Sequence, residues 1–133
     1  MYKFSFGKNW INYSKKISKL HIKNSEKDLK YFLKNNIKNK KFLDIGCGSG
    51  LSSLSARNLG ANVTSYDKDF FSTKCTKDLK KKYYNNDKKW KILNSGDVLN
   101  SNFCKKIGKF DIIYSWGVLH HTGKQKKALQ NIF

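Results

Sequence analysis

The sequence contains no proline, three cysteines and a single arginine, and it lacks long apolar runs. The cysteines are odd in number and form no Cys-x-x-Cys pair, which fits neither a disulfide framework nor a zinc site. We therefore predict that Cys47, Cys75 and Cys104 are reduced, buried thiols. No apolar run reaches the roughly eighteen residues of a membrane span, and the N-terminus has no stretch suited to a signal peptide. We expect a cytoplasmic protein that does not bind membranes.

Acidic residues are also scarce, since nine acids face 28 basic residues and the formal net charge is +19. Such a charge ordinarily indicates nucleic acid or another anionic surface as a partner. However, only Arg57 offers the guanidinium fork with which proteins commonly recognise nucleic acid. Many asparagines and few alanines are typical of AT-rich codon usage. The net charge therefore favours a solvated lysine surface over polyanion binding.

The length of 133 residues fits one domain, which would bury roughly two thirds of its unfolded surface. Residues 1–23 are aromatic and basic, and their irregular apolar spacing predicts a partly helical flap. Ser25 is a suitable helix cap that can accept from the N3 amide, and an acid follows it in the first turn, so we predict a helix start there. The predicted apolar stripe of this helix consists of Leu29, Phe32, Leu33 and Ile37.

From Lys40 onward, apolar strands alternate with turns and helices. Strands are predicted at residues 41–45, 62–66, 90–93 and 110–114. Helices are predicted from Leu51 to a stop at Gly60, after Asp69, and over residues 102–107 and 123–133. A buried face of the helix after Asp69 is predicted from apolar residues at steps of four: Phe71, Cys75, Leu79 and Tyr83. This alternation indicates an α/β fold with a parallel sheet and right-handed crossovers.

A glycine-rich turn joins the first strand to the following helix over residues 44–50, with the sequence DIGCGSG. Glycine lets backbone amides approach a ligand, and a helix N-terminus favours a carboxylate or phosphate, which together indicate a nucleotide-like cofactor. The dinucleotide fingerprint is disfavoured, because its last small residue would fall on Leu51. A phosphate-binding P-loop is excluded, because Gly50 is not followed by Lys-Ser or Lys-Thr.

The pattern Asp44-x-Gly46-x-Gly48-x-Gly50 resembles motif I of class I S-adenosylmethionine-dependent methyltransferases. Three further segments resemble later motifs of that family in the same order. They are residues 66–68 after the second strand, residues 96–98 after the third, and residues 110–123 around the fourth. Residues 6–13 also resemble a lid segment of the family. The resemblance therefore divides the chain into an N-terminal lid, residues 1–23, and a cofactor-binding domain, residues 24–133.

The resemblance implies that the glycine turn, with Asp44 and Cys47, holds the cofactor S-adenosylmethionine and its product S-adenosylhomocysteine. It implies that Asp67, beside Lys68, accepts hydrogen bonds from both ribose hydroxyls. Asp97 and Val98 would contact the adenine, and Trp116 would lie beside the adenine or fill the core. The alternatives from the residues alone are that Asp67 caps the next helix and that Asp97 is an ordinary turn residue.

Three further residues have side chains that could take part in chemistry. Asp111 is expected to be structural. The adjacent His120 and His121 lack a third metal ligand, so no metal site is expected, although one of them could orient or deprotonate an acceptor. No catalytic residue is assigned.

The resemblance further implies a Rossmann-like three-layer sandwich. The family's sheet has the order 3-2-1-4-5-7-6, and this chain supplies four strands, so we expect the order 3-2-1-4 without strands five to seven. The fourth strand would then be an exposed apolar edge containing Ile112 and Ile113, which predicts self-association.

The expected function is transfer of a methyl group from S-adenosylmethionine to an unidentified small-molecule acceptor. One alternative is a non-catalytic S-adenosylmethionine-binding subunit that completes its sheet with another copy or another protein. A second alternative, raised by the lysine excess, is an enzyme that acts on RNA. A third is an enzyme that consumes the cofactor itself and needs no second substrate.

Overall fold

The structure is a computed structural model that describes residues 17–94, 96–97 and 99–115. Within these ranges the chain forms four helices and four strands, and each strand after the first is preceded by a helix. In chain order the elements are α1 (Lys19–Leu33), β1 (Lys41–Ile45), α2 (Leu51–Asn58), β2 (Asn62–Tyr66), α3 (Phe70–Tyr83), β3 (Trp90–Ile92), α4 (Ser101–Ile107) and β4 (Ile112–Tyr114).

The four strands form one parallel sheet in the order β3-β2-β1-β4. Strand β1 lies in the centre, where Ile45 pairs with Tyr66 of β2 and Asp44 pairs with Tyr114 of β4. Parallel neighbours require crossover connections, and the helices between the strands supply them. The predicted Rossmann-like α/β fold and its strand order are confirmed. Strand β4 lies at the edge of the described sheet, and self-association through it stays a prediction.

Side chains alternate between the two faces of β1, and each face packs into its own apolar cluster. Phe42 joins the larger cluster, which contains residues of α1, α2 and α3 together with the fully buried Trp90. Leu43 and Ile45 join a smaller cluster with Tyr66, against which α4 packs. Coverage of both faces makes the three-layer arrangement and places Asp44, despite its charge, among buried residues.

Helix α1 begins before the predicted position. Ser18 is its N-cap: the Ser18 hydroxyl accepts from the His21 amide at 3.3 Å, and His21 Nδ1 accepts from the Ser18 amide at 3.1 Å. The predicted start at Ser25 is therefore wrong, because this reciprocal cap nucleates the helix earlier. The boundary drawn between residues 23 and 24 falls inside α1, while most of the proposed lid, residues 1–16, lies outside the described residues.

The predicted apolar stripes are only partly correct. Helix α1 ends at Leu33, so the buried Ile37 lies beyond it, and Phe32 is 61% exposed. In α3 the central Cys75 and Leu79 are buried, but both ends of the predicted face are exposed: Phe71 and Tyr83. The middle of α3 instead buries the small residues Ser72, Thr73 and Thr76, which allow close approach to the glycine turn.

The short elements also differ in length from their predictions. Strand β3 has three residues and β4 begins only at Ile112, whereas α4 begins one residue earlier than predicted, at Ser101. The predicted helix over residues 123–133 lies outside the described residues. Cys47 and Cys75 are buried, as predicted, while Cys104 is only half-buried. Within the part of the chain that the structure describes, no helix has the length and apolar character needed to cross a membrane.

Arg57 anchors the end of α2 through an ion pair, a contact with an aromatic ring and a hydrogen bond. Its Nε lies 2.7 Å from Asp87 Oδ2, its guanidinium stacks over the Tyr84 ring at 5.2 Å, and Nη1 donates to the Ala61 carbonyl. The Asn58 side chain extends this network by donating to Glu26 of α1 at 2.8 Å. The sole arginine of the chain therefore has a structural role, which gives no support to phosphate recognition.

Candidate cofactor-binding site

The glycine turn leaves the centre of the sheet and leads directly into α2. Gly46, Gly48 and Gly50 have φ values of 72°, 56° and 88°, in the left-handed region that favours glycine. At Gly50, which is the N-cap of α2, an added Cβ would lie 3.0 to 3.1 Å from atoms of Thr76. Both backbone conformation and space therefore require glycine there.

Asp67 connects the glycine turn to the end of β2. Its Oδ2 accepts from the Gly48 amide at 3.1 Å, and its Oδ1 accepts from the Asp69 amide at 2.9 Å. The Gly46 and Cys47 amides both donate to the Tyr66 carbonyl, which fixes the same two segments to each other. Burial raises the pKa of Asp67, and the hydrogen bonds from the Asp69 and Gly48 amides oppose that shift. Each carboxylate oxygen retains a lone pair for a further donor.

The alternative role of Asp67 as the cap of the next helix is wrong. Asp69 caps α3 instead, because its Oδ1 accepts from the Phe71 amide at 2.8 Å and from the Ser72 amide at 3.4 Å. The Asp67 carboxylate instead connects the end of β2 to the glycine turn through the Gly48 amide.

Asp44 lies at the end of a buried chain of hydrogen bonds. Trp90 Nε1 donates to Ser65 Oγ at 3.0 Å, and Ser65 Oγ lies 2.6 Å from Ser53 Oγ. The Ser53 hydroxyl donates to Asp44 Oδ2 at 2.6 Å. An indole N–H can only donate and a carboxylate can only accept, so the two hydroxyl protons point in one direction, from Trp90 toward Asp44.

Burial raises the pKa of Asp44 from 3.8 to about 7, against the opposing hydrogen bond from Ser53. The negative charge of Asp67 contributes to this rise. The carboxyl group therefore titrates near neutral pH in the absence of a ligand. A positively charged group beside Asp44 would favour its ionised form.

Cys47 contributes to the turn through its backbone and its packing. Its side chain is buried, and the Thr76 hydroxyl lies within hydrogen-bonding distance of both Cys47 Sγ, at 3.2 Å, and the Gly48 carbonyl, at 3.1 Å. Burial raises the pKa of the Cys47 thiol well above its usual range. The thiol therefore stays protonated and is not a nucleophile.

Lys68 and Asp97 meet at the end of β3. Lys68 Nζ lies 3.6 Å from Asp97 Oδ2, and both side chains are solvent-accessible. Asp97 Oδ1 also accepts from the Leu99 amide, and the Asp97 carbonyl accepts from the Asn100 amide, so Asp97 forms a turn as one alternative predicted. Among the described residues of that turn, none donates a hydrogen bond to Asp97 Oδ2. The turn role is therefore compatible with the predicted hydrogen bond from the adenine amine to Asp97.

Gly96 provides a close contact beside this turn. An added Cβ would lie 2.5 Å from the rings of both Tyr66 and Phe103, which themselves contact edge to face at a centroid distance of 4.9 Å. The Tyr66 hydroxyl is buried and has no hydrogen-bond partner among the residues that the structure describes. The surface formed by Gly96, Tyr66 and Phe103 next to Asp97, here called the Gly96 wall, is therefore aromatic and contains one buried polar atom, the Tyr66 hydroxyl oxygen.

The remaining candidates lie elsewhere. Asp111 Oδ2 accepts from the Lys41 amide at 2.8 Å, at the end of β1 opposite the glycine turn, so its predicted structural role is confirmed. Val98, Trp116, His120 and His121 lie outside the described residues. Among the residues that are described, no group of three or more metal-ligating side chains could hold a metal ion.

The sequence interpretation missed the residues that support the acids and the turn, namely Ser53, Ser65, Thr76 and Trp90. All four make contacts between different strands, helices or turns, and no spacing rule predicts such contacts. Thr76 did have a sequence signal, because small side chains at residues 72, 73 and 76 share one helical face where close packing is possible.

Comparisons with known proteins decide the family. A sequence model described as a methyltransferase domain matches residues 18–133. The chain belongs to this methyltransferase domain family. S-adenosylmethionine is the cofactor of the family. A search of curated proteins found no match.

Solved structures resemble this methyltransferase domain in fold. A candidate S-adenosyl-L-methionine-dependent methyltransferase from Methanococcus maripaludis is 21% identical with a TM-score of 0.75, over 99% of this chain and 60% of that chain. Magnesium protoporphyrin IX methyltransferase from Synechocystis, solved with S-adenosylhomocysteine bound, is 16% identical with a TM-score of 0.68, over 99% and 56%. A candidate RNA methyltransferase from Pyrococcus horikoshii is 24% identical with a TM-score of 0.58, over 80% and 49%. The chain thus spans about half to three fifths of these proteins.

Proposed function

We propose that this domain binds S-adenosylmethionine at the carboxyl edge of the sheet and directs its methyl group to a small-molecule acceptor. The observation that carries the proposal is the hydrogen bond from the Gly48 amide to the Asp67 carboxylate at 3.1 Å. It brings a glycine turn suited to the amino-acid end of the cofactor next to an acid suited to its ribose. The family membership supports the same cofactor.

The described residues fit the parts of the cofactor in order across the strands. The N-terminus of α2 after Gly50 favours a carboxylate, and the buried Asp44 places negative charge near the cationic end. Asp67 can accept from two ribose hydroxyls. Asp97, paired with Lys68, can accept from the adenine amine beside the Gly96 wall. Cys47, Val98 and Trp116 complete the proposed contacts.

The bound cofactor supplies an activated methyl group on a sulfonium, so the protein needs to contribute little covalent chemistry. The residues of the protein itself would bind and orient the cofactor. The N-terminus of α2, the Asp67 carboxylate and the Asp97 carboxylate would hold the cofactor at three separate points along the edge of the sheet. Fixing the cofactor in this way lowers the entropic barrier to in-line attack by an acceptor held nearby.

Calorimetry with S-adenosylhomocysteine tests the proposal. Asp67→Asn removes the charge from the hydrogen bond to Gly48 and one acceptor for the ribose, and a charge-assisted hydrogen bond contributes about 1.5 to 3 kcal/mol. We expect binding to weaken roughly 10- to 100-fold. Asp78→Asn is the matched control, because Asp78 is an exposed acid on α3 whose loss causes the same change of net charge.

Two results would contradict the proposal. One is the absence of binding heat when S-adenosylhomocysteine is added to the folded, unmodified chain. The other is equal affinity in the Asp67→Asn and Asp78→Asn proteins, because the Asp67 carboxylate would then have no specific contact with the ligand.

A further inference from the structure

A cavity of about 330 Å³ lies between α1, the beginning of α2 and the end of β4. Helix α1 contributes Asp28 and Phe32 to its wall, α2 contributes Leu51 and Ser52, and β4 contributes Tyr114. Small-molecule sites typically have volumes of roughly 300 to 1,000 Å³ and combine apolar walls with a few polar groups. The cavity therefore has the size and lining of a site for a small organic ligand.

This cavity lies directly beside the glycine turn. Leu51 follows Gly50 in the chain, and Tyr114 is the register partner of Asp44. Burial raises the pKa of the Tyr114 phenol, the nearby Ser52 hydroxyl opposes the shift, and the negative charges of both Asp44 and Asp28 raise it further. Tyr114 is therefore close to an acid of the turn and to an acid of the cavity.

The position of the cavity matches the reacting end of the proposed cofactor. Asp67 follows β2 and Asp97 follows β3, so the ribose and the adenine would extend from β1 toward the β3 edge of the sheet. The opposite end, which carries the sulfonium, would then lie over β1 near β4. The cavity is on that side of the turn.

The charge of the cavity wall is opposite to that of the whole chain. The net charge is +19, yet among the described residues that line the cavity Asp28 is the one acid, and there is neither lysine nor arginine. The other polar lining residues are His21, Asn24, Ser25 and Ser52. The wall also includes the Phe32 ring, which is 61% exposed, and the half-buried Tyr114 ring. On the α1 side of the cavity, the Asp28 carboxylate next to aromatic rings favours a cation through Coulomb attraction and cation–π contact, whereas the N-terminus of α2, at Leu51 and Ser52, favours the carboxylate of the cofactor.

We infer that this cavity binds the methyl acceptor and that the acceptor is a small organic amine, held as its ammonium ion by Asp28 against Phe32 and Tyr114. The part of the inference that concerns methyl transfer rests on the proposed function. In the transfer, the ammonium releases a proton to water, and the amine lone pair forms the new N–C bond as the S–C bond breaks toward sulfur. The products are the N-methylammonium ion and S-adenosylhomocysteine.

Binding of 2-phenylethylamine to the full chain tests the inference without relying on turnover. Nitrogen–proton NMR titrations compare this amine with the neutral 2-phenylethanol and the anionic 3-phenylpropanoate. We expect the amine to bind most tightly and to shift the resonances of Asp28, Ser52 and Tyr114. Equal or tighter binding of 3-phenylpropanoate would overturn the inference, because the wall would then not select a cation.

Variants with matched controls locate the site. For Asp28→Asn we expect about fivefold weaker amine binding, as for a partly exposed ion pair, and for Asp78→Asn we expect no change. Phe32→Ala should also weaken binding, whereas Phe70→Ala, which removes a similarly exposed ring on α3, should not. If the Asp28 and Asp78 variants bind the amine equally, the inference is wrong.

Calorimetry with S-adenosylhomocysteine on the same samples separates this inference from the proposed function. Amine binding that depends on Asp28, in a chain that does not bind S-adenosylhomocysteine, would support an amine site and refute the cofactor assignment. Normal S-adenosylhomocysteine binding without selective amine binding would refute only the amine site.

Discussion

Replacement of Asp44 by asparagine is expected to stabilise the domain, and by more at about pH 8 than at about pH 5.5. The cause is the burial of the carboxylate, which raises its pKa from 3.8 to about 7. Asparagine is uncharged at both pH values, and its amide oxygen can still accept from the Ser53 hydroxyl. The substitution therefore removes the charge while preserving the hydrogen-bond chain from Trp90.

The magnitude follows from proton linkage. A rise of about three pKa units corresponds to about 4 kcal/mol of unfavourable free energy when Asp44 is fully ionised in the folded state. The folded state binds more protons than the unfolded state between pH 4 and 7, so this contribution to stability is lost as pH rises through that window. Protonation at about pH 5.5 should relieve about 2 kcal/mol of the penalty. The stability difference between variant and unmodified chain should shrink by the same amount.

Urea unfolding followed by far-ultraviolet circular dichroism, without cofactor, measures both proteins at the two pH values. Groups that titrate alike in both proteins cancel in the difference between them. A difference that stays constant within about 0.5 kcal/mol, or an unmodified chain that is the more stable protein at about pH 8, would refute the reasoning. Either result would mean that the folded protein accommodates the Asp44 charge without a desolvation cost.

Two further predictions concern the residues that support the turn. Ser53→Ala should destabilise the fold by about 1 to 3 kcal/mol in urea unfolding, because it deprives Asp44 and Ser65 of a partner, whereas Ser72→Ala, at a buried hydroxyl without a described partner, should be nearly neutral. Equal effects would contradict the hydrogen-bond chain. A left-handed backbone such as that of Gly50, with φ 88°, costs an alanine about 1 to 2 kcal/mol, and the added Cβ would also lie within 3.1 Å of Thr76. Gly50→Ala should therefore destabilise the fold by more than about 2 kcal/mol in thermal unfolding, and a smaller loss would show that the contact with Thr76 is easily relieved.

Sequence patterns predicted the strands well because each strand is a short local apolar run. The predicted bounds 41–45 and 62–66 are those observed, and the parallel direction of the strands follows from the alternation of strands and helices. Helix ends were less predictable. The cap of α1 depends on Ser18 and His21 side chains bonding each other's backbone, and Ser25 offered an equally good local pattern.

The candidate site likewise contains residues that the sequence predicts and interactions that it does not. The glycines and Asp67 follow from position in the chain, since a turn after a strand and an acid at the next strand end must meet at one edge of a parallel sheet. The interactions of Asp97 could not be decided from the sequence, because its turn and its contact with Lys68 depend on side-chain placement.

By itself, the sequence determined the α/β class and the acids that end the strands, because these depend on local periodicity and on order along the chain. The strand order was implied by the resemblance of four ordered motifs to the methyltransferase family. Only the tertiary structure decided what surrounds those acids. Ser53 donates to Asp44 and connects it to Ser65 and Trp90 on two strands, and Asp28 lines the same cavity as Tyr114, 86 residues away in the sequence. The pKa of Asp44 and the charge of the cavity follow from burial and proximity, which exist only once the sheet and helices have packed.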